Sequence, residues 1–327
     1  MGTKAVETVS PALLETYSDN PSAFLALNAG NHHFTAPGLD GVVTYRVSGR
    51  RLVQFGGPAG PDAAALLARF GAFARAQRRR VVAIQVQAHD VPVYEAAGYT
   101  VNQVGASYAL DLDRFTTSGK RFVKLRNKIA RATRAGVVVR EVPQPEWDDR
   151  MRALDARWLA SKGKHAKPLE FLVGEYGGPH QHARRLFVAT IDDALVGYVS
   201  YAPAYGSRPG WLHDLSRRVP DGTPGIMEAV NATAMATFRA EGARWLHFGF
   251  TPFTGLAPEF GTATESRWFR WLVHQLAARG AAVYPAASQL AYKEKWAPHA
   301  VIPEYVAFEN HPSLYGFLHI FKAANAL

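Results

Sequence analysis

The 327-residue chain has no cysteine, which excludes a disulfide framework, a thiolate metal site and a cysteine nucleophile at once. Nowhere do about 18 apolar residues run without a charge, the length a spanning helix requires. The opening MGTKAVETVSPALLE lacks the basic-then-apolar order of a secretory signal. HExxH and GxSxG are missing, and His32, His33, His180 and His182 stand in no metal-ligand spacing. These absences lead us to expect a cytoplasmic protein with no metal and no bound cofactor, working through carboxylates, lysines, arginines and backbone groups.

Negative charge is the scarcer sign: 27 Asp and Glu face 37 Lys and Arg, a net charge of +10. That excess favours polyanionic partners such as nucleic acid, anionic membrane or phosphorylated substrates, without choosing among them. A hydrophobic content of 48% and an aromatic content of 12% argue against disorder. The length suits two domains.

Periodicity supports two α/β modules, residues 1–117 and 118–327. The first reads as a helical start at 11–28, strands at 41–47 and 51–55, a turn FGGPAGP, a helix at 62–77, the strand VVAIQVQ at 81–87, a short helix and a strand ending at Leu112. Thr116–Gly119 reads as the junction. The second module runs through a basic helix, strand VVVREV, a helix from Pro145, a hairpin about IDDA, strand Trp211–Leu215, helix 226–242, strand 244–250, helix 265–279 and a final strand region. The order repeats, and it is compatible with a tandem N-acetyltransferase-like α/β (α+β) fold whose first copy, lacking a comparable Asp and twin Arg, is degenerate.

The richest segment is Trp211–Gly225, WLHDLSRRVPDGTPG: an apolar strand, Asp214, Arg217 and Arg218, then a Pro/Gly turn opening a helix. Unpaired N–H groups at such a helix start suit a phosphate, with Gly225 at the approach. The same pattern also describes a strand-turn-helix with a surface ion pair. His213 alternates to the strand face opposite Asp214, which disfavours a relay between them.

Three further segments could carry chemistry. From Lys120 to Arg134, Arg121, Lys124, Lys128 and Arg131 share one helix face while Phe122, Leu125, Ile129 and Ala132 share another. This suits either a cationic docking face or a solvated one. A membrane-surface helix fits less well there, because its apolar side lacks Trp. Phe250, Phe253 and Phe260 in LHFGFTPFTGLAPEF suit either a pocket wall or core closure. In YPAASQLAYKEKWAPHAVIPEYVAF, Lys293 and Lys295 read as one side of an extended segment, able to hold a phosphate or an oxyanion.

Together, GWLHDLSRRVPDGTPGIMEAVN, LHFGFTPFTGL and YKEKWAPHAVIPEYVAF resemble the C-terminal synthase domain of the lysyl- and alanyl-phosphatidylglycerol synthases, aminoacyl-tRNA-dependent transferases with a tandem acetyltransferase-like fold. The resemblance implies transfer of an amino acid from aminoacyl-tRNA, as co-substrate, to a hydroxyl or amine. It implies catalytic roles for Asp214, Lys295 and Arg217, substrate contacts from Arg218, Lys293, Phe250, Phe253 and Gly225, and tRNA contacts from Arg121, Lys124, Lys128 and Arg131. Asp214 would orient or deprotonate the acceptor or pair with the amino acid's ammonium, and Lys295 would face the oxyanion. GFTPFTGL departs from the family's aliphatic stretch, and no membrane-spanning portion is present. Both favour a small-molecule acceptor, as in antibiotic biosynthesis, over phosphatidylglycerol. Two other readings stand beside this one: an acyl-CoA-dependent N-acyltransferase, disfavoured because VPDGTPG lacks a Gly-x-Gly loop, and a non-enzymatic RNA- or membrane-binding protein.

Overall fold

The computed structural model describes residues 5–6, 9–163, 167–279 and 286–326. Twelve strands among them form one mixed sheet. The first six are β1 (Ala5–Val6), β2 (His32–Ala36), β3 (Leu39–Ser48), β4 (Arg51–Ala59), β5 (Arg80–Gln87) and β6 (Tyr99–Asp111). The second six are β7 (Val138–Val142), β8 (Arg185–Ile191), β9 (Ala194–Ala204), β10 (Gly210–Arg218), β11 (Trp245–Pro252) and β12 (Ala300–Glu309).

The sheet order is β1-β2-β3-β4-β5-β12-β6-β11-β10-β9-β8-β7. Reversing it exchanges the first six strands with the second six, so the sheet has an internal twofold pattern centred between β12 and β6. The last strand of each half has crossed into the other: β12 pairs antiparallel with β5, and β6 with β11. The expected junction at 117–118 lies between β6 and the basic helix. The two halves share one ladder.

Helices cover both faces. On one, α2 (Ala63–Ala76) packs on the first half, while α4 (Val123–Arg134) and α6 (Ile226–Ala240) pack on the second. On the other lie α1 (Pro11–Tyr17), α5 (Asp148–Ala160), α7 (Arg267–Arg279) and α9 (Leu314–Ala323). Local chemistry explains several boundaries. Asp62 caps α2 by accepting from Ala65 N at 2.9 Å. Pro21 separates α1 from a short 3-10 turn at Ala23–Leu27, where one longer helix was expected. Asp192 and Asp193 both take positive φ, which closes the β8–β9 hairpin with the twist its strands need.

Two expectations are corrected and one helix is added. FGGPAGP is largely strand, because a register shift between Val42 and Thr44 carries the pairing on to Ala59. The segment bearing Lys293, expected to be extended, is helical, α8 (Ala286–Glu294). Helix α9 was not foreseen; it packs Phe317 and Ile320 into the core beneath it. Among the described residues no helix is long and apolar enough to cross a membrane.

Candidate active site

β10 and β11 run parallel but pair only from Gly210–Leu212 to Trp245–His247. Beyond that point they part, and a cavity of about 720 Å³ occupies the opening. Residues from both faces line it: Phe253, Phe317 and Ile320 from the α7–α9 side, Met227, Phe248 and Tyr292 from the α6 side. At the corresponding position between β4 and β5, Asn20 donates to Gln85 O at 3.0 Å beside a recess of about 20 Å³.

Bulges aim the polar groups into this space. His213 pairs with Tyr201 and Leu215 with Ser200, so Asp214 is the extra residue of β10. Its carboxylate is sealed from solvent (0% exposed) and Oδ2 lies 2.8 Å from Nε of Arg184, itself 1% exposed. Oδ1 has no hydrogen-bond partner. Burial pushes the Asp214 carboxyl up to about 6, against the opposing charge and hydrogen bond of Arg184. Arg184 is held in turn by the first half, donating to Asn28 Oδ1 at 2.6 Å and lying 4.9 Å from the Phe24 ring centroid. Gly174 completes the seat, since a Cβ there would stand 2.2 Å from the Asp214 carboxyl carbon. Sequence reasoning missed Arg184; ARR at 183–185 carries no signal that separates it from Arg185, which instead bonds Glu141 and Glu241.

The second bulge lies in β11, between His247 and Phe250. It accompanies a carbonyl at Gly249 that accepts from Nζ of buried Lys293 at 2.6 Å, with Phe250 O at 3.3 Å. Burial lowers the Lys293 amine to about 7, opposed by the charge of Glu304. Glu304 is fully buried in β12 and accepts from Ser107; burial raises it to about 7 against the bonds from Ser107 and Gln87 and the charge of Lys293. His213 bonds Asn231 Oδ1 at 3.0 Å, on the side away from Arg184, and burial lowers it to about 4.

The expected site residues separate into groups. Asp214, Lys293, Arg217, Phe250 and Phe253 line the cavity. Arg217 lies 4.1 Å from the Trp158 ring centroid and 3.7 Å from Asp155. Arg218 does not line it: the strand alternation that turns Arg217 inward turns its neighbour out, towards the Val219 and Pro220 carbonyls. Lys295 does not line it either. It stands just past α8, two residues from Lys293, and at helical spacing that difference points the two side chains apart. Its Nζ pairs with Glu228 Oε1 at 2.7 Å, and burial lowers its pKa against that pairing.

Gly225 is closed to ligands. A Cβ on it would stand 2.0 Å from the Lys128 carbonyl, so it serves the crossing of α6 on α4. The anion at the α6 N-terminus is internal. Burial alone would raise the Glu228 carboxyl, but Lys295, Lys128 and its own backbone N–H together hold it below the ordinary value. On α4, Lys124, Lys128 and Arg131 are exposed while Leu125 and Ala132 are buried; Arg121, also exposed, lies in the 3-10 turn Lys120–Phe122 just before it, where the helix was expected to have begun, and Lys128 also reaches Glu228 at 3.4 Å.

The family model described as "Phosphatidylglycerol lysyltransferase, C-terminal" matches residues 11–308. A phosphatidylglycerol lysyltransferase of Bacillus subtilis is 24% identical over 321 residues, covering 96% of this chain and 36% of its own length. The MprF-like domain protein Rv1619 of Mycobacterium tuberculosis is 26% identical over 281 residues, 81% of this chain and 57% of its own. The chain therefore spans about a third of the Bacillus subtilis relative. Among solved structures, L-PGS from Bacillus licheniformis superposes with a TM-score of 0.78 at 21% identity, covering 98% of this chain and 97% of that one. The C-terminal domain of a putative lysylphosphatidylglycerol synthetase from Agrobacterium fabrum gives 0.77 at 20%, covering 97% and 96%. At these identities the superpositions show a shared fold.

Proposed function

Because the chain belongs to the family described as Phosphatidylglycerol lysyltransferase, C-terminal, we propose that it transfers an amino acid from aminoacyl-tRNA to a hydroxyl of phosphatidylglycerol. The observation that carries the reading is the cavity through the sheet, where one buried carboxylate and one buried amine stand among mainly apolar walls. Such walls suit an acyl-chain-bearing acceptor better than a small polar one.

The chemistry needs no covalent intermediate, because the donor is an activated ester. The acceptor oxygen attacks the ester carbonyl; a new C–O bond forms and the bond to the tRNA ribose oxygen breaks. Asp214 takes the acceptor's proton and returns it to the leaving ribose hydroxyl. A carboxylate raised to about 6 is a stronger base than an ordinary one and is still ionised at neutral pH. Lys293 spends two N–H donors on carbonyls and has a third for the oxyanion. Arg217 and the exposed cations of α4 hold phosphates of the tRNA, the latter by backbone contacts alone.

An acyl-CoA donor fits less well. The α6 N-terminus, where a coenzyme pyrophosphate would sit, already holds the Glu228 carboxylate.

The test supplies purified protein with a pool of labelled aminoacyl-tRNAs, phosphatidylglycerol vesicles and a mixture of polar metabolites, and in parallel labelled acetyl-CoA. We expect label in the lipid phase. Label only on a water-soluble product overturns the acceptor, and transfer from acetyl-CoA alone overturns the donor.

A further inference from the structure

Helix α7 reads RWFRWLVHQLAAR and contains no acidic residue. Its buried side, Phe269 and Val273, faces the core, yet Trp271 remains 63% exposed and Trp268 45%. Arg267 and Arg270 lie beside them on the surface, Arg270 bonded to Glu265 at 2.5 Å. Helix α9, LYGFLHIFKA, also lacks an acid and exposes Leu314 (56%) and Leu318 (47%), one turn apart, with Lys322 a turn further. Phe269 meets Phe317 edge-on at 5.2 Å, so the two helices share one face of the sheet and touch through their buried sides. Both helices thus present exposed tryptophan or leucine together with cations on the same face of the sheet.

Four large apolar side chains left in water on adjoining helices would each be better placed in a core. Trp flanked by Arg is the composition of a helix lying in a bilayer interface, where the indole sits at headgroup level and the guanidinium meets lipid phosphate. The basic helix α4 has no exposed Trp and lies on the opposite face of the sheet. On the α7–α9 side, Phe317, Ile320 and Phe321 of α9 form cavity wall, so this one helix carries cavity lining on its inner side and the exposed stripe on its outer side.

We propose that the outer face of α7 and α9 docks on the surface of an anionic phospholipid bilayer, with Trp268, Trp271, Leu314 and Leu318 in the interface and Arg267, Arg270 and Lys322 on the headgroups. The choice of a bilayer rests on the lipid acceptor proposed above and on the cationic, acid-free character of both helices. Docking there sets the cavity's α9 wall against the membrane. Acceptor lipid then reaches Asp214 without crossing water, while α4 remains open to tRNA.

The experiment uses the full chain and vesicle co-sedimentation, with vesicles of phosphatidylcholine alone or mixed equally with phosphatidylglycerol. Wild type is expected to sediment with the mixed vesicles and much less with the neutral ones. Trp268→Gln/Trp271→Gln and Leu314→Gln/Leu318→Gln are each expected to weaken that partitioning by about tenfold or more. Both should leave thermal unfolding and transfer to a dispersed short-chain phosphatidylglycerol unchanged. Unaltered sedimentation of the variants, or none by wild type, overturns the docking face. Concentration-dependent dimerisation lost in the variants, without vesicle binding, assigns the face to a second copy and also overturns it. Docking that follows these predictions without transfer to any lipid leaves the face in place and removes the proposed activity.

Discussion

Arg184 and Asp214 form an ion pair of 2.8 Å with neither side chain open to solvent, and only one carboxylate oxygen is used in it. Asp214 lines the cavity, but its free oxygen is sealed against Gly174. Arg184 thus supports the charge of Asp214 while leaving one carboxylate oxygen unbonded. Breaking a buried pair from one side costs about 3–5 kcal/mol, because the remaining charge is stranded. Arg184→Met should therefore lower stability by that order at pH 8. Without its cation, the Asp214 carboxyl rises further above its unfolded value. The native state then holds a proton that the unfolded state releases, so stability falls as pH rises through that window. Urea unfolding should show a smaller deficit at pH 5 than at pH 8; a deficit independent of pH would dissociate Arg184 from the ionisation of Asp214.

The two groups assigned to catalysis set a pH profile. With Asp214 proposed to act deprotonated, turnover should rise as pH passes about 6; with Lys293 proposed to act as ammonium, it should fall as pH passes about 7. A narrow bell between these limbs is expected. Glu304 raises the pKa of Lys293 through its charge, so Glu304→Gln should move the falling limb to lower pH and leave the rising limb in place. Movement of the rising limb instead would reverse the two assignments.

Asp214→Asn should lower kcat by roughly a hundredfold or more, the usual contribution of a positioned general base. The affinity for aminoacyl-tRNA, measured by filter binding, should change little. If affinity falls as far as turnover, Asp214 holds the amino acid's ammonium instead of taking a proton.

Charge reversal on α4 should do the opposite. Lys124→Glu with Arg131→Glu should weaken tRNA binding across all sequences and reduce the slope of log affinity against log salt by about one for each phosphate that is no longer neutralised. Turnover at saturating tRNA should hold. Lys128 is a poor choice for this test because it also pairs with Glu228.

Gly225→Ala introduces a Cβ 2.0 Å from the Lys128 carbonyl at a φ of 101°. Both the strain and the clash force α4 away from α6, with an expected loss of about 2 kcal/mol or more in urea unfolding. A neutral outcome would mean that the crossing relaxes freely.

Periodicity alone placed most of the strands and the helices α2, α4 and α6, because each buries a stripe whose spacing is local: Leu66, Leu67 and Phe70 in α2, Leu125 and Ala132 in α4. The ordered motifs around Asp214, Gly249 and Lys293 also pointed to one place in the chain's chemistry. What they left open was direction. Two neighbouring arginines look alike in sequence, yet strand alternation turns Arg217 in and Arg218 out; two lysines looked like one pair until α8 proved helical and parted them. Arg184 was invisible, since its role depends on Asn28 and Phe24, more than 150 residues away. The exchange of β6 and β12 between halves was equally unreadable, because backbone hydrogen bonds carry no side-chain signature. Local pattern determined the elements and the chemical inventory. Only the tertiary structure decided which groups lost their water, and it is that burial which shifts the Asp214 carboxyl up and the Lys293 amine down.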